Sequence, residues 1–289
     1  MTASADGGMP VEELVRLLDA ADRDRRSIAG PLQLRDVQHG YDVQRRVGDL
    51  RSARLASPPA AWKVALTSEA TQRALGTHEP ASGRLLGVDV LLSGSEISPR
   101  RLLEPLVEVE LVFRVVEALP PGADLDQVLA RTEVAGGLEC PDSRFSAWFG
   151  GSGPALPLAT VVADNCLAGA LVVGDVWVPA TRLRLDEVAA RLTLGGKVLA
   201  DGSGSAVLGH PARAVVWLSD HLRTQGTQLR PFDLVSSGTL TPPLRLQVGV
   251  AEAEFSHGLG SVKVIRLAGP DSSADVSPLL PSVISVGET

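Results

Sequence analysis

The chain has 289 residues, enough for one large domain or two ordinary ones and for a sizeable buried core. Hydrophobic residues make up 44% and charged ones 21%, which excludes a disordered chain and points to a soluble globular protein. A net charge of -7 and an aromatic content of 3% exclude a phosphate-collecting field and a base-stacking platform, so no nucleic acid partner is expected.

Residues 1–8 are small and polar and read as a frayed tail. Pro10 opens a first helix over 11–26, with Val11, Leu14, Val15, Leu18 and Ala21 recurring at three and four. A looser helical pattern over 36–55 runs through Val37, Tyr41, Val47 and Leu50, and the pair Pro58-Pro59 closes this helical portion. Beyond it the period falls towards two. Over 106–116, Val107, Val109, Leu111, Phe113 and Val115 alternate with Glu108, Glu110, Val112, Arg114 and Val116, which predicts a strand with one wholly apolar face. Shorter strands are expected at 61–66, 171–177, 183–194 turning through Gly195-Gly196 into 197–200, 234–238, 248–256 and 261–267. Two helices interrupt them, at 125–131 and at 211–225, the second starting on Pro211 and stopping before Gly226. The final segment, rich in Ser and Pro, reads as a loose tail.

Cys140 and Cys166 are too few for a disulfide framework, and the first residues lack the basic and apolar regions of a signal peptide, so a cytoplasmic location is expected. The most apolar stretch, 156–179, is broken by Asp164, Asn165 and Asp175 and cannot supply the ~20 uninterrupted apolar residues of a membrane span. No membrane partner follows. The five histidines show no zinc-ligand spacing. The glycine runs at 150–153 and 202–205 lack the features of phosphate-binding loops, and no serine-hydrolase elbow is present.

Glu108 and Glu110 leave the same face of their strand roughly 7 Å apart. Alternation alone allows an ordinary solvated face, or two hard oxygen ligands for Mg²⁺ or Mn²⁺. Glu139 adds a third carboxylate in the run Glu139-Cys140-Pro141-Asp142-Ser143-Arg144, although Asp-Ser is also common turn chemistry. Lys63 lies between Trp62 and Val64 at the start of the strand-rich region. It is either a snorkelling strand residue or a cation that holds a carboxylate or moves a proton.

Taken in order, the runs 62–68, 105–113 with its Glu-x-Glu, 139–144, Val162-Ala163-Asp164-Asn165, 208–211 with Val216-Trp217-Leu218, Ser237-Gly238 and 259–262 resemble the 2-keto-4-pentenoate hydratase and 4-oxalocrotonate decarboxylase branch of the fumarylacetoacetate hydrolase superfamily. The likeness spans about residues 10–268. It implies an α+β fold: a helical N-terminal region (1–60), then a catalytic region (61–270) with a rolled, mostly antiparallel β-sheet, and a flexible tail (271–289). It implies Glu108, Glu110 and Glu139 as ligands of Mg²⁺ or Mn²⁺, Lys63, Asp142 and Asn165 as catalytic residues, and Arg144, Ser237 and Thr239 as substrate-binding ones.

The activity so implied is a lyase of aromatic catabolism acting on a 2-oxo-enoic acid, with decarboxylation of a 2-oxo-3-enedioate through a metal-stabilised dienolate as the first expectation. Hydration of a 2-hydroxy-dienoate is the alternative. Hydratases often carry an Asp after the Pro matching Pro80, where this chain has Ala81. Ala65, Cys166, Leu167 and Val250 also depart from the pattern, which leaves open a diverged homologue with another 2-oxo acid in a biosynthetic pathway. A non-catalytic partner subunit and an acyl-pyruvate hydrolase are further rivals. The complete ligand set argues against the first and Asp142-Ser143-Arg144 against the second. A homo-oligomer is expected, or a complex with a related hydratase or decarboxylase.

Overall fold

A computed structural model describes residues 8–149 and 156–269. Two helices lead, α1 (Val11–Asp24) and α2 (Val37–Leu55); Asp36 caps α2 by accepting the His39 amide at 2.7 Å. Then come β1 (Pro59–Ala65), α3 (Glu69–Ala74), β2 (Ala81–Leu86), β3 (Val90–Leu92), β4 (Ser95–Ile97), β5 (Leu106–Val115), α4 (Leu125–Ala130) and β6 (Thr132–Cys140). They are followed by α5 (Leu158–Ala163), β7 (Ala170–Val173), β8 (Val178–Pro179), β9 (Ala189–Leu194) and β10 (Lys197–Ser203). The chain continues through α6 (Ala212–Thr224), β11 (Leu234–Thr239), β12 (Leu244–Arg245), β13 (Gly249–Phe255) and β14 (Gly260–Arg266).

The strands form two sheets. The larger has the order β2-β1-β11-β5-β6-β7-β3, with β12 joined to β5 and β8 to β6; the smaller runs β10-β9-β13-β14-β4. Pairing is antiparallel except for β1–β11, β3–β7 and β14–β4. The α+β class and the mostly antiparallel sheet are therefore as the sequence led us to expect.

The main core lies between the sheets. Val107, Val109, Leu111, Phe113 and Val115, the apolar face expected of β5, are all fully buried there with Leu138, Val172, Leu192, Ala253 and Val262. The opposite face of the large sheet carries a smaller apolar patch, Ala61, Leu85, Val112, Ala135 and Leu171, and the charged residues discussed below. Helices α1 and α2 bury Leu14, Val15, Leu18 and Val43 together with Phe145 and Ala163, so their packing partners come from far along the chain. Among the described residues no helix is long and apolar enough to cross a membrane.

Two expected strands are shorter than read. The run 183–194 is extended only from Ala189, because Leu185 turns into the core through a single tight helical turn, with Gly204 backed against its carbonyl. The run 171–177 ends at Val173, since Gly174 packs on the Gly136 carbonyl and leaves the strand path. Of the expected N-terminal tail (1–8), residues 1–7 lie outside the described residues, as do the glycine run at 150–153 and the C-terminal tail (271–289), while Gly8 is buried and so not frayed.

Candidate metal centre

Glu108 and Glu110 sit on β5, and Glu139 on β6 is the direct antiparallel partner of Glu108, while Glu110 faces Gly137. The face is the one turned away from the main core. One carboxylate oxygen from each glutamate lies within 4.8 Å of those of the other two. Like charges placed cross-strand repel, and here Glu110 and Glu139 are buried while Glu108 is half-buried.

The site is made possible by residues too small to fill it. A Cβ on Gly137 would stand 2.5 Å from Val112 Cγ2, and one on Gly238 would strike Thr67, so glycine is required at both. Gly238 also takes φ 105°, a region other residues rarely occupy. Its kink turns the backbone amide onto Glu110 Oε2 at 2.9 Å, and the Ser236 hydroxyl donates to the same oxygen. Glu110 is thereby aimed, not merely buried.

Lys63 reaches the cluster from β1. Its Nζ is 2.8 Å from Glu139 Oε1, although β11 and β5 lie between their strands. Three interstrand spacings amount to roughly 14 Å on a flat sheet, so the two side chains meet because this face is concave. Gly83 and Ser236, the register neighbours of Lys63, leave its path open. Desolvation alone would lower the Lys63 pKa, but the charges of Glu139, Glu108 and Glu110 outweigh it and raise it above the usual lysine range. Burial, then repulsion from Glu139 and Glu108, raises Glu110 well above the ordinary carboxylate value, against the pull of Lys63. Glu108 rises for the same first reason, to about 7.

Among the described residues Glu139 Oε2 has no hydrogen-bond partner, and Oε1 meets only the Lys63 ammonium. A buried carboxylate oxygen left unpaired is costly. Three convergent carboxylates with such an orphaned oxygen match the hard-oxygen preference of Mg²⁺ or Mn²⁺, so the residues present fit a divalent cation.

The other expected site residues have different surroundings. Asp142 accepts the backbone amides of Leu103 and Glu104 at 2.7 and 2.8 Å. Asn165 clamps β2, accepting the Arg84 amide at 2.8 Å and donating to the Arg84 carbonyl at 2.7 Å. Arg144 is paired with the buried Asp164, which also accepts from Ser143. The Thr239 hydroxyl donates to the Thr241 carbonyl at 2.7 Å, and the Ser237 hydroxyl is buried without a partner among the described residues. Sequence reasoning passed over Ser236 and treated Gly238 only as part of a motif. The signal was available, because Val235 belongs to the core face and strand alternation sends Ser236 to the other. Ala81 packs with Val162 and Cys166 beside Tyr41, Ala65 and Leu66, an apolar group at the β2 end of the site strand pair.

Residues 152–264 match the family described as fumarylacetoacetate (FAA) hydrolase C-terminal. The structure superposes on 4-oxalocrotonate decarboxylase from Pseudomonas putida G7, complexed with magnesium and adipate, with a TM-score of 0.79, 23% identity and coverage of 89% of this chain and 97% of that one. In fold and sequence the chain is a fumarylacetoacetate hydrolase-type protein. It is 31% identical to 2-keto-4-pentenoate hydratase 1 of Dechloromonas aromatica over 89% of this chain and 97% of the relative. It is 29% identical to 4-oxalocrotonate decarboxylase of Pseudomonas sp. (strain CF600) over 77% and 82% respectively. The chain belongs to the 2-keto-4-pentenoate hydratase and 4-oxalocrotonate decarboxylase family within that superfamily.

Proposed function

We propose that the chain is a divalent-metal-dependent lyase acting on a 2-oxo-enoic acid, and that it decarboxylates a 2-oxo-3-enedioate. The observation that carries this reading is the convergence of Glu108, Glu110 and Glu139 with Lys63 on one concave sheet face. Mg²⁺ or Mn²⁺ is the ion we assign to it, and when bound it supplies positive charge and polarises the carboxylate and 2-oxo oxygens of the substrate. A cytoplasmic homo-oligomer belongs to the same reading; both cysteines are free and buried.

The protein's own part is positioning and one proton. Ser236 and Gly238 hold Glu110, and we assign Asp142, Asn165 and Arg144 to fixing the backbone around the site, given the bonds that occupy them. The Ser237 hydroxyl, unpaired among the described residues, is a polar group beside the Gly238 kink. Decarboxylation breaks the bond to the distal carboxylate, and the electron pair passes through the conjugated chain towards the 2-oxygen. A single proton is then needed at that oxygen, and Lys63, held charged by its glutamates, is the group we assign to donate it.

Hydration needs more: proton transfers to carbon as well as addition of water. Ala81 offers neither acid nor base for them, lying in an apolar group with Val162 and Cys166. Hydration remains the second reading because relatives at 29–31% identity are named 2-keto-4-pentenoate hydratases. The test is incubation with 2-oxo-3-hexenedioate with Mg²⁺ or with a chelator, products followed by NMR. Metal-dependent CO₂ release with 2-hydroxypenta-2,4-dienoate supports decarboxylation. Turnover only of added 2-hydroxypenta-2,4-dienoate, to 4-hydroxy-2-oxopentanoate, would replace it by hydration, and turnover of neither would refute both.

A further inference from the structure

Apart from the metal centre, a cavity of about 320 Å³ lies where α1, α2 and β2 meet the segments that follow β4 and β6. None of Lys63, Glu108, Glu110 or Glu139 lines it. Seven arginines and four aspartates do, in a chain whose net charge is -7. The surplus of guanidinium is therefore local.

The four aspartates are already occupied. Asp89 takes both arms of Arg51, at 2.5 and 2.8 Å, and the Leu86 amide. Asp22 takes Arg51 and Arg54, Asp142 two backbone amides, and Asp164 both Arg144 and Ser143. Three arginines are left under-paired. Arg25 donates its Nε to the Arg100 carbonyl at 2.7 Å and has no carboxylate oxygen within 4.0 Å among the described residues. Among the described residues Arg84 has only Asp49, outside the cavity lining, at 4.0 Å, and it lies over the Trp62 ring. Arg101 donates to the Val88 carbonyl and stands 3.8 Å from Asp89, which Arg51 already holds. Desolvation, with Arg51 and Arg144 nearby, holds the Arg25 pKa below the ordinary arginine value, although Asp22 and Asp142 pull the other way.

We propose that this cavity is a second ligand site, distinct from the metal centre, that takes a small organic dianion bearing carboxylates between Arg25, Arg84 and Arg101. Guanidinium forks match carboxylate geometry and bind it in pairs of hydrogen bonds. The cavity reaches the ~300 Å³ lower bound of small-molecule sites. Leu18, Val47 and Leu85 in its wall suit a carbon backbone better than a bare inorganic ion. The inference does not depend on the reaction assigned to the metal centre, since Arg25, Arg84 and Arg101 have no part in it, although Asp142, Arg144 and Asn165, which brace the metal site, also line this cavity.

Succinate is the probe, titrated calorimetrically into the full chain at fixed ionic strength, with Mn²⁺ and after its removal on a chelating resin, with succinamide and inorganic phosphate as comparisons. Saturable succinate binding should survive metal removal, be absent for succinamide, and weaken tenfold or more in Arg25→Gln. Arg84→Lys, which keeps the charge but loses the fork, should weaken it as well and guards against a misfolded first variant. Lys63→Gln should leave it unchanged. Binding that vanishes with the metal or with Lys63→Gln places succinate at the metal centre and overturns the proposal. Insensitivity to both arginine variants, or phosphate binding as tightly as succinate, overturns it too.

Discussion

Replacing Glu108 with Gln separates the stability of the metal-free fold from its capacity to hold a cation. Burial first, then Glu139, pushes the Glu108 carboxyl from 4.5 to about 7, against the attraction of Lys63. The gap of about 2.5 is worth about 3 kcal/mol at 1.36 kcal/mol per unit, and the solvent that still reaches this half-buried group reduces it to about 2 kcal/mol. The folded state holds this proton more tightly than the unfolded chain does. Metal-free protein therefore loses stability as pH rises from 4.5 through about 7, and the full penalty stands above 7. Gln carries no such penalty. Urea unfolding of metal-free protein should show Glu108→Gln gaining about 2 kcal/mol on the wild type between pH 5 and pH 8. Added Mn²⁺ at pH 8 should reverse the order, stabilising the wild type strongly and the variant weakly. A variant that gains nothing over that pH range, or that Mn²⁺ stabilises as much as the wild type, would refute the argument that these carboxylates are crowded to receive a cation.

Lys63→Met should lower turnover by about 10² or more, the low end of general acid catalysis, while calorimetric Mn²⁺ affinity changes far less; parallel losses in both would remove Lys63 from proton transfer. Gly238→Ala should destabilise the fold by about 2–4 kcal/mol, because a methyl group must meet Thr67 in a backbone conformation that disfavours it, and Mn²⁺ affinity should fall with it as Glu110 loses its amide. Asn165→Ala should reduce stability to urea by about 1–3 kcal/mol through two lost hydrogen bonds to Arg84, leaving Mn²⁺ affinity within a few-fold of the wild type.

What the sequence disclosed follows from which residues obey a simple period. The core face of β5 was legible because five apolar side chains alternate without interruption and all enter the core between the sheets. The ends of α2 were legible because Asp36 caps one and Pro58-Pro59 excludes continuation at the other. β6 was not legible as a strand, although it carries Glu139. Its centre is Gly136-Gly137, residues of poor strand propensity, kept bare for opposite reasons: a Cβ on Gly136 would meet the Phe255 ring at 2.5 Å on the core side, and one on Gly137 would meet Val112 on the site side. Contacts made across the fold overrode local preference, and its glutamate stood out only as a third carboxylate in the run 139–144 until the resemblance gave it a ligand's role. The under-paired arginines were invisible for a similar reason, since Arg25, Arg84 and Arg101 are scattered in sequence and gathered only by packing of the helices on β2.

The same packing explains why the metal centre calls for a divalent ion and no other resident charge. Three ionised glutamates against one ammonium leave two negative charges on a face where Glu110 and Glu139 are shut away from solvent. Uncompensated charge in such a place is expelled by protonation, which is the direction in which Glu108 and Glu110 are driven. Among the described residues no cation other than Lys63 contacts the cluster. Two added positive charges would satisfy it without protonation, and loading would release protons from the glutamates, so that affinity rises with pH. Ser236 and the Gly238 amide already hold one oxygen of Glu110, leaving the other oxygen, Oε1, to accept a ligand. The kink at Gly238 and the crowding of Glu108 are thus two parts of one arrangement, in which the crowded carboxylates cost stability when empty and are aimed at a common point.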